Sequence, residues 1–467
     1  MEKKELTNQQ FDTGADYRDQ VLTVEPHGIE QVRASERHGS IRSLFTLWLS
    51  ANMGLPVWLV GALAIILGLG FTDGVAAIIV GNIIGCALLA ITASMGPEIG
   101  MPQLPFTRHS FGVRGAYLPA ILNWVSASGW YAVNSIVGAL AIARLTTLPF
   151  WTALVVLSVA QVLVGVYGYN LIHRFEAISA ILLAIIFVIM SVVGLPQANF
   201  GLASKLPPAD HVGLFILMTT AVASYVFSWS PYASDYARYL PSSTSKWSVF
   251  GAVFAGSFIG CVWLQVLGVA VATIGLSLSP IDLVVKVMGS IWVIALLAVI
   301  LGTIAANALN IYTGALSLLT LDVPIKRWIS VIATGILGGA LALYGVNGLS
   351  SKYENFLLLI SYWIGPWLAI VCVDFFLHPG QPSRPGRGLQ TLQSVIEWPG
   401  LIAFLVGLAV SIPFMNSSLY TGPIAVLLHG ADIAYYVGII VAGVLYYVLR
   451  MATSRSTASR AGTLDNG

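Results

Sequence analysis

Charge is what this chain has least of. Only 9% of its 467 residues are Asp, Glu, Lys or Arg, against about 25% in an ordinary soluble domain, and that scarcity excludes a soluble globular protein. Cysteine is nearly absent too: Cys86, Cys261 and Cys372 are scattered in apolar stretches with no pairing or ligand spacing. A disulfide scaffold and a thiolate metal centre are thereby excluded, and the three read as small buried hydrophobes. A net charge of +2 offers no basic face for nucleic acid. No carboxylate, His or Cys cluster lies at depth to equip a membrane-embedded enzyme, so that alternative is set aside and neither a metal nor a cofactor is expected. The first 42 residues are polar, and the first apolar stretch is much longer than the h-region of a cleaved signal peptide, so no removed targeting segment is expected.

What the chain has is apolar length. Hydrophobic residues make up 57% of it, the mean hydropathy is +0.84, and windows of about 20 residues give membrane spans. Twelve are read, at 43–69, 72–95, 116–143, 150–169, 171–194, 211–236, 247–276, 287–320, 328–346, 353–377, 398–414 and 431–449. The chain is thus expected to be an all-α polytopic protein, with a segment 1–42, a transmembrane domain 43–449 and a tail 450–467. Lys and Arg are retained in the cytoplasm. Of the 22, all but Arg144, Lys205, Lys286 and Lys352 fall on the side that carries both termini. That bias predicts cytoplasmic termini in a plasma (inner) membrane, with lipid as the surrounding partner. The Pro-, Gly- and Arg-containing stretch His378 to Pro399 reads as a connector, and the polar tail as disordered. Nothing in the sequence specifies an oligomeric state.

Two spans carry interruptions at corresponding places. Span one contains Ser50-Ala51-Asn52-Met53-Gly54-Leu55-Pro56 and span six Ser228-Trp229-Ser230-Pro231, and glycine and proline weaken a helix. Backbone freed in hydrocarbon must line a protein-buried or wet cavity. Matched breaks five spans apart suggest inverted repeats, about 43–194 and 211–377, with helices 398–449 outside them. Gly81-x-x-x-Gly85 and Gly256-x-x-x-Gly260 read as helix-packing surfaces.

Trp130 and Trp229 lie deep in spans three and six among small, amide and hydroxyl neighbours. Flat indoles suit stacking on a neutral heterocycle, worth about 1–3 kcal/mol per base. Asn134, one turn from Trp130, and Asn307 and Asn310 in span eight offer donor and acceptor edges, with Ser50 and Asn52 at the span-one break. Each amide could equally serve interhelical bonding. No ionisable residue is expected near the middle of a span: Asp73, Asp235, Asp282 and Asp374 map near span ends, and Glu98 and His109 to the loop after span two. A neutral substrate follows. Asp235 and Arg238, three apart, read as a gate or structural pair.

The stretches Glu25 to Glu30, Trp48 to Pro56, Phe106 to Gly112, Gly129-Trp130 with Asn134, Trp229 to Tyr239, and Asn307-x-x-Asn310-Ile311-Tyr312 together resemble the nucleobase:cation symporter-1 family of purine, cytosine, uracil, allantoin and hydantoin permeases. The resemblance implies a LeuT-like fold of ten core helices in two inverted repeats plus two more, and uptake coupled to Na+ or H+. It implies that Trp130 and Asn134 hold the substrate ring, with Trp229 or Phe227 from span six, Ser50 or Asn52 from span one, and Asn307 or Asn310 from span eight. The family's sodium site uses span-one carbonyls, here near Gly54, and span-eight hydroxyls, of which only Thr303 is matched. Proton coupling is therefore at least as well supported. The expected cargo is a purine base or cytosine, carried by alternating access, with allantoin, hydantoin or uracil as the alternative.

Overall fold

The computed structural model describes residues 22, 24, 25, 27–275, 279–377 and 394–464. Most of the N-terminal segment and of the His378 to Pro399 connector lie outside the described residues. Among those described, ten helices are long and apolar enough to cross a bilayer, one further span is a helix pair bent by 53°, and Trp398–Phe414 is a shorter apolar helix. The twelve expected spans are thus present.

Span one is Ile41–Ala51 followed by Leu55–Ile66, span two Phe71–Ala93, span three Tyr117–Thr146, span four Phe150–Tyr167 and span five Tyr169–Gly194. Span six is Pro208–Phe227, continued by short turns to Ala237, and span seven Lys246–Ala272. Spans eight to twelve are Trp292–Leu319, Arg327–Gly345, Leu349–Cys372, Trp398–Ser411 and Ala434–Leu464. Two boundaries differ from expectation. A separate helix, Pro280–Met288, precedes span eight because Gly289 turns to φ +52° and ends it. The tail, expected to be disordered, continues span twelve as helix to Leu464. It contains no proline after Arg450, and a helix already nucleated by the span propagates at one bond per residue.

The packing repeats after five spans. Span one lies against span seven as span six lies against span two, and spans three and eight pack on each other across the centre. Both Gly-x-x-x-Gly pairs sit at the equivalent contacts. A Cβ at Gly85 would stand 2.6 Å from the Ala223 carbonyl oxygen of span six, and one at Gly256 2.6 Å from that of Phe45 in span one. In lipid, apolar burial gives little drive between helices, so close backbone approach and interhelical hydrogen bonds must hold them. Asn82 of span two donates to Gln265 of span seven at 2.6 Å. The two breaks are consequently brought to the centre of the bundle, between spans three, eight and ten.

Candidate substrate chamber

The first half of span one ends where the Ser50 carbonyl accepts from Met53 N–H at 2.8 Å instead of from a residue four ahead. Gly54 is extended and caps the second half-helix, whose second residue is Pro56; proline is tolerated there because that N–H has no helical partner. Span eight backs onto the break, since a Cβ at Gly302 would meet the Met53 carbonyl oxygen at 2.6 Å. The break in span six is milder: Phe227 ends the α-helix and a single tight turn, Ser230–Tyr232, carries the chain on.

Both tryptophans face inward. Trp130 and Trp229 are each 3% exposed. Trp130 is met edge-to-face by Tyr225 of span six at 5.3 Å, Phe356 of span ten at 5.2 Å and Tyr353 at 6.0 Å. Phe356 lies over Gly129 so closely that no Cβ fits there, which explains the glycine before the indole. Trp229 meets Trp48 of span one at 5.9 Å and Tyr232 at 5.2 Å. Tyr225 joins the two indoles, facing the Trp229 N–H without closing a hydrogen bond. Phe227 points elsewhere, against Tyr435 of span twelve at 4.8 Å, so of the two it is Trp229 that packs on span one. Trp48, Tyr225, Tyr353 and Phe356 were not singled out from the sequence; aromatic residues in apolar runs carry no signal of which face they occupy.

The amides divide into two kinds. Asn307 is committed to the scaffold: its N–H groups donate to the Tyr131 carbonyl and the Ser135 hydroxyl, both at 3.0 Å, and its carbonyl accepts from Asn310 at 3.0 Å. Asn310 keeps its own carbonyl oxygen without a protein partner, as does Asn52, and the Ser50 hydroxyl is also unpartnered. Asn134 donates once, to the Trp130 carbonyl at 2.9 Å, leaving its second N–H and carbonyl edge uncommitted. Buried polar atoms without partners are costly and mark places where a ligand completes the bonding.

Thr303 and Gly54 lie on facing elements, since a Cβ at the neighbouring Gly302 would stand 3.3 Å from the Gly54 Cα, and each already has a hydrogen-bond partner within its own helix. The Thr303 hydroxyl donates to the Ile300 carbonyl at 2.9 Å and packs against Gly138 of span three. The Gly54 carbonyl accepts from Val57 and Trp58. Asp235 and Arg238 do not pair with each other. Asp235 accepts from Gln103 N–H at 2.9 Å and the Thr313 hydroxyl at 2.6 Å, tying the end of span six to the loop before span three and to span eight. Arg238 is fully buried and pairs with Glu25 at 2.9 Å. Glu25 also accepts from the hydroxyls of Tyr239 at 2.6 Å and Tyr312 at 2.9 Å, and from Tyr169 N–H at 3.1 Å. Burial pushes the Glu25 carboxyl up, but Arg327, Arg238 and these hydrogen bonds outweigh it and hold it below the usual carboxylate range. The N-terminal segment is thereby latched across the end of span six and span eight.

Two buried titratable residues near the start of span five were not singled out from the sequence. Glu176, about two turns into span five by helical count, is 0% exposed. His173, one turn before it, has both ring nitrogens shut from solvent. A lone acid in the apolar run from Phe175 to Val193 was the signal for it. Neither makes a ring contact with the two indoles, and Glu176 lies beside Ser50 at the span-one break.

The description "Permease for cytosine/purines, uracil, thiamine, allantoin" belongs to a family whose pattern this chain matches over residues 31–438. The candidate purine-cytosine permease YxlA of Bacillus subtilis is 30% identical, the match covering 92% of this chain and 96% of that protein. The purine-cytosine permease fcyB of Emericella nidulans is 29% identical over 92% of this chain and 89% of its own. Among solved structures, Mhp1, a nucleobase-cation-symport-1 family transporter in a closed conformation with bromovinylhydantoin bound, superposes with a TM-score of 0.76 at 20% identity, covering 93% of this chain and 96% of that one.

Proposed function

Because the chain belongs to the nucleobase:cation symporter-1 family of permeases, and so transports rather than catalyses, we propose that it imports a purine base or cytosine. The single observation that carries this reading is the pair of inward-facing indoles at 3% exposure with unpartnered carbonyl oxygens on Asn52 and Asn310 beside the helix breaks. A neutral ring with adjacent N–H and C=O groups stacks on the indole while its N–H edge is read by those carbonyls and by the Asn134 amide. The names of the relatives, purine-cytosine permeases of a bacterium and a fungus, support the same cargo.

The breaks allow the two half-helices of span one to swing separately, exposing the chamber to one side and then the other. The latch of Glu25 on Arg238 closes the side that carries the termini. The excess of Lys and Arg there supports a cytoplasmic assignment in the plasma (inner) membrane. The coupling ion we take to be H+, because span eight offers a single matched hydroxyl, Thr303, with no adjacent Ser/Thr pair.

The test is uptake of radiolabelled cytosine and hypoxanthine into cells expressing the protein, competed with unlabelled bases, uracil, hydantoin and allantoin, with and without Na+. Competition by purines or cytosine without a Na+ requirement is expected. Competition by allantoin, hydantoin or uracil alone reassigns the cargo within the same fold.

A further inference from the structure

Glu176 is the buried acid that neither the chamber nor the latch uses. Both of its carboxyl oxygens lack a hydrogen-bond partner. The Ser50 hydroxyl at the span-one break lies next to it without closing a hydrogen bond, and Ser50 is 0% exposed. One turn toward the latch, both nitrogens of His173 are also unpartnered; one turn the other way, so is the Ser179 hydroxyl. Residues 169, 173 and 176 share a helix face. The His173 ring packs on Tyr169 at 4.1 Å, whose N–H donates to Glu25. A column of titratable groups therefore runs from the latch to the broken helix.

We propose that Glu176 is the proton-binding site of the transport cycle, with His173 as the relay between it and the latch side. This deepens the importer reading and rests on it. An ionised carboxylate with no counter-ion and no donor is unaffordable at such depth, so the occluded state must carry it as the neutral acid. The proton arrives from water on the far side when the chamber is open there, forming the O–H bond on a Glu176 oxygen, and that O–H donates to Ser50. When the latch opens, water reaches His173. The imidazole takes the Glu176 proton on one nitrogen and releases one to that water from the other, leaving a hydrated carboxylate. Substrate is sensed through span one: Trp48, which meets Trp229 in the chamber, lies on the same half-helix as Ser50.

A proton suits this site better than Na+, which needs a cage of several oxygens, whereas here a single carboxylate faces one hydroxyl. The titratable and charged groups around the column are Tyr169 and Arg174 on span five, Asp235, Tyr236 and Arg238 at the end of span six, Tyr312 on span eight, Arg327 on span nine, and Glu25 and His38 from the N-terminal segment. Arg238 and Tyr312 are bound to Glu25, and His38 lies 3.0 Å from Asn170. Span one carries no acid or base beyond Arg42 at its exposed entry. Spans four and seven and the helix Pro280–Met288 also pack on span five, bringing Tyr167, Cys261, Asp282 and Lys286, yet no charged side chain stands against Glu176.

The test uses full-length protein in liposomes loaded with a pH-sensitive dye. Added cytosine or hypoxanthine is expected to acidify the lumen with the wild type. Glu176→Gln, a mimic of the protonated acid, loses that signal and uphill accumulation by about tenfold or more, the scale of ordinary coupling free energies, while counterflow exchange of the labelled base persists. Wild-type acidification by Glu176→Gln overturns the proposal. Should Glu176→Gln lose exchange as well, Glu176→Asp decides: a shifted pH profile of uptake supports the site and an unshifted one overturns it. A pH-difference infrared spectrum of the purified protein tests the proton site with no substrate present, so it stands even if none of the bases is carried. The carbonyl band of a protonated carboxyl must vanish in Glu176→Gln, and an unchanged band refutes the assignment.

Discussion

Two buried polar regions lie at different depths of the same bundle, and they are built in opposite ways. At the latch, the Glu25 carboxylate accepts from Arg238, Tyr239, Tyr312 and the Tyr169 backbone, and its partners come from three different parts of the chain. In the chamber, Asn52, Asn310 and Trp229 each keep a buried polar atom without a protein partner. Four donors on one carboxylate fix one arrangement, even though Arg238 keeps its Nε unpartnered, whereas groups left open wait for a molecule to complete them. The contrast supports the proposal that the latch holds a conformation and the chamber binds.

The sharpest way to break this comparison is at the latch. Arg238→Gln leaves the Glu25 charge buried beside fewer partners, and losing one member of a buried pair costs on the order of 3–5 kcal/mol. The expected result is a lower Tm in detergent and faster labelling of a Ser234→Cys reporter by a membrane-impermeant maleimide. Unchanged labelling would mean that the cluster does not seal that side. Next in size, Trp130→Ala removes a stacking surface worth about 1–3 kcal/mol, and affinity for the base falls roughly 5- to 150-fold with expression unchanged. Trp130→Phe, which keeps a π face, recovers most of it; wild-type uptake by the alanine variant removes Trp130 from the chamber.

The two span-eight amides carry the comparison into one helix. Asn307→Ala strips the Tyr131 carbonyl, Ser135 and Asn310 of a partner, so about 1–3 kcal/mol of stability is lost. Asn310→Ala is expected to lower base affinity while leaving Tm nearly unchanged. If thermal unfolding and binding assays gave the reverse, the roles would have to be exchanged. The smallest effect concerns pH. The Glu25 carboxyl is held below its ordinary value of 4.5, so its contribution is fully present above that value and is lost as pH falls through the lowered one. Stability of the latch is expected to be flat from neutrality down to pH 4.5 and to decline below it, a decline absent from Glu25→Gln. A latch that loosened between neutrality and that value would contradict the ion pairing.

Much of this was legible along the chain. The spans, the break at Gly54 and Pro56, and the depth of Trp130 and Trp229 follow from local rules, because each depends on residues within a few turns. The ambiguous choices were those that depend on facing. Trp229 and Phe227 are two apart, and only packing turned one toward Trp48 and the other toward Tyr435. Asn307 and Asn310 carry the same amide, and the nearness of Tyr131 and Ser135 from span three committed one of them. Glu176 was passed over because its place near a span end, counted in residues, says nothing about the helices that close over it.

The sequence by itself determined that the chain crosses a membrane in twelve helices and breaks two of them, because apolar length and the backbone limits of proline and glycine act locally. Tertiary structure alone decided which buried groups are satisfied and which are left open. A hydrogen-bond partner is usually supplied by a helix distant along the chain, and only the assembled bundle brings it within reach.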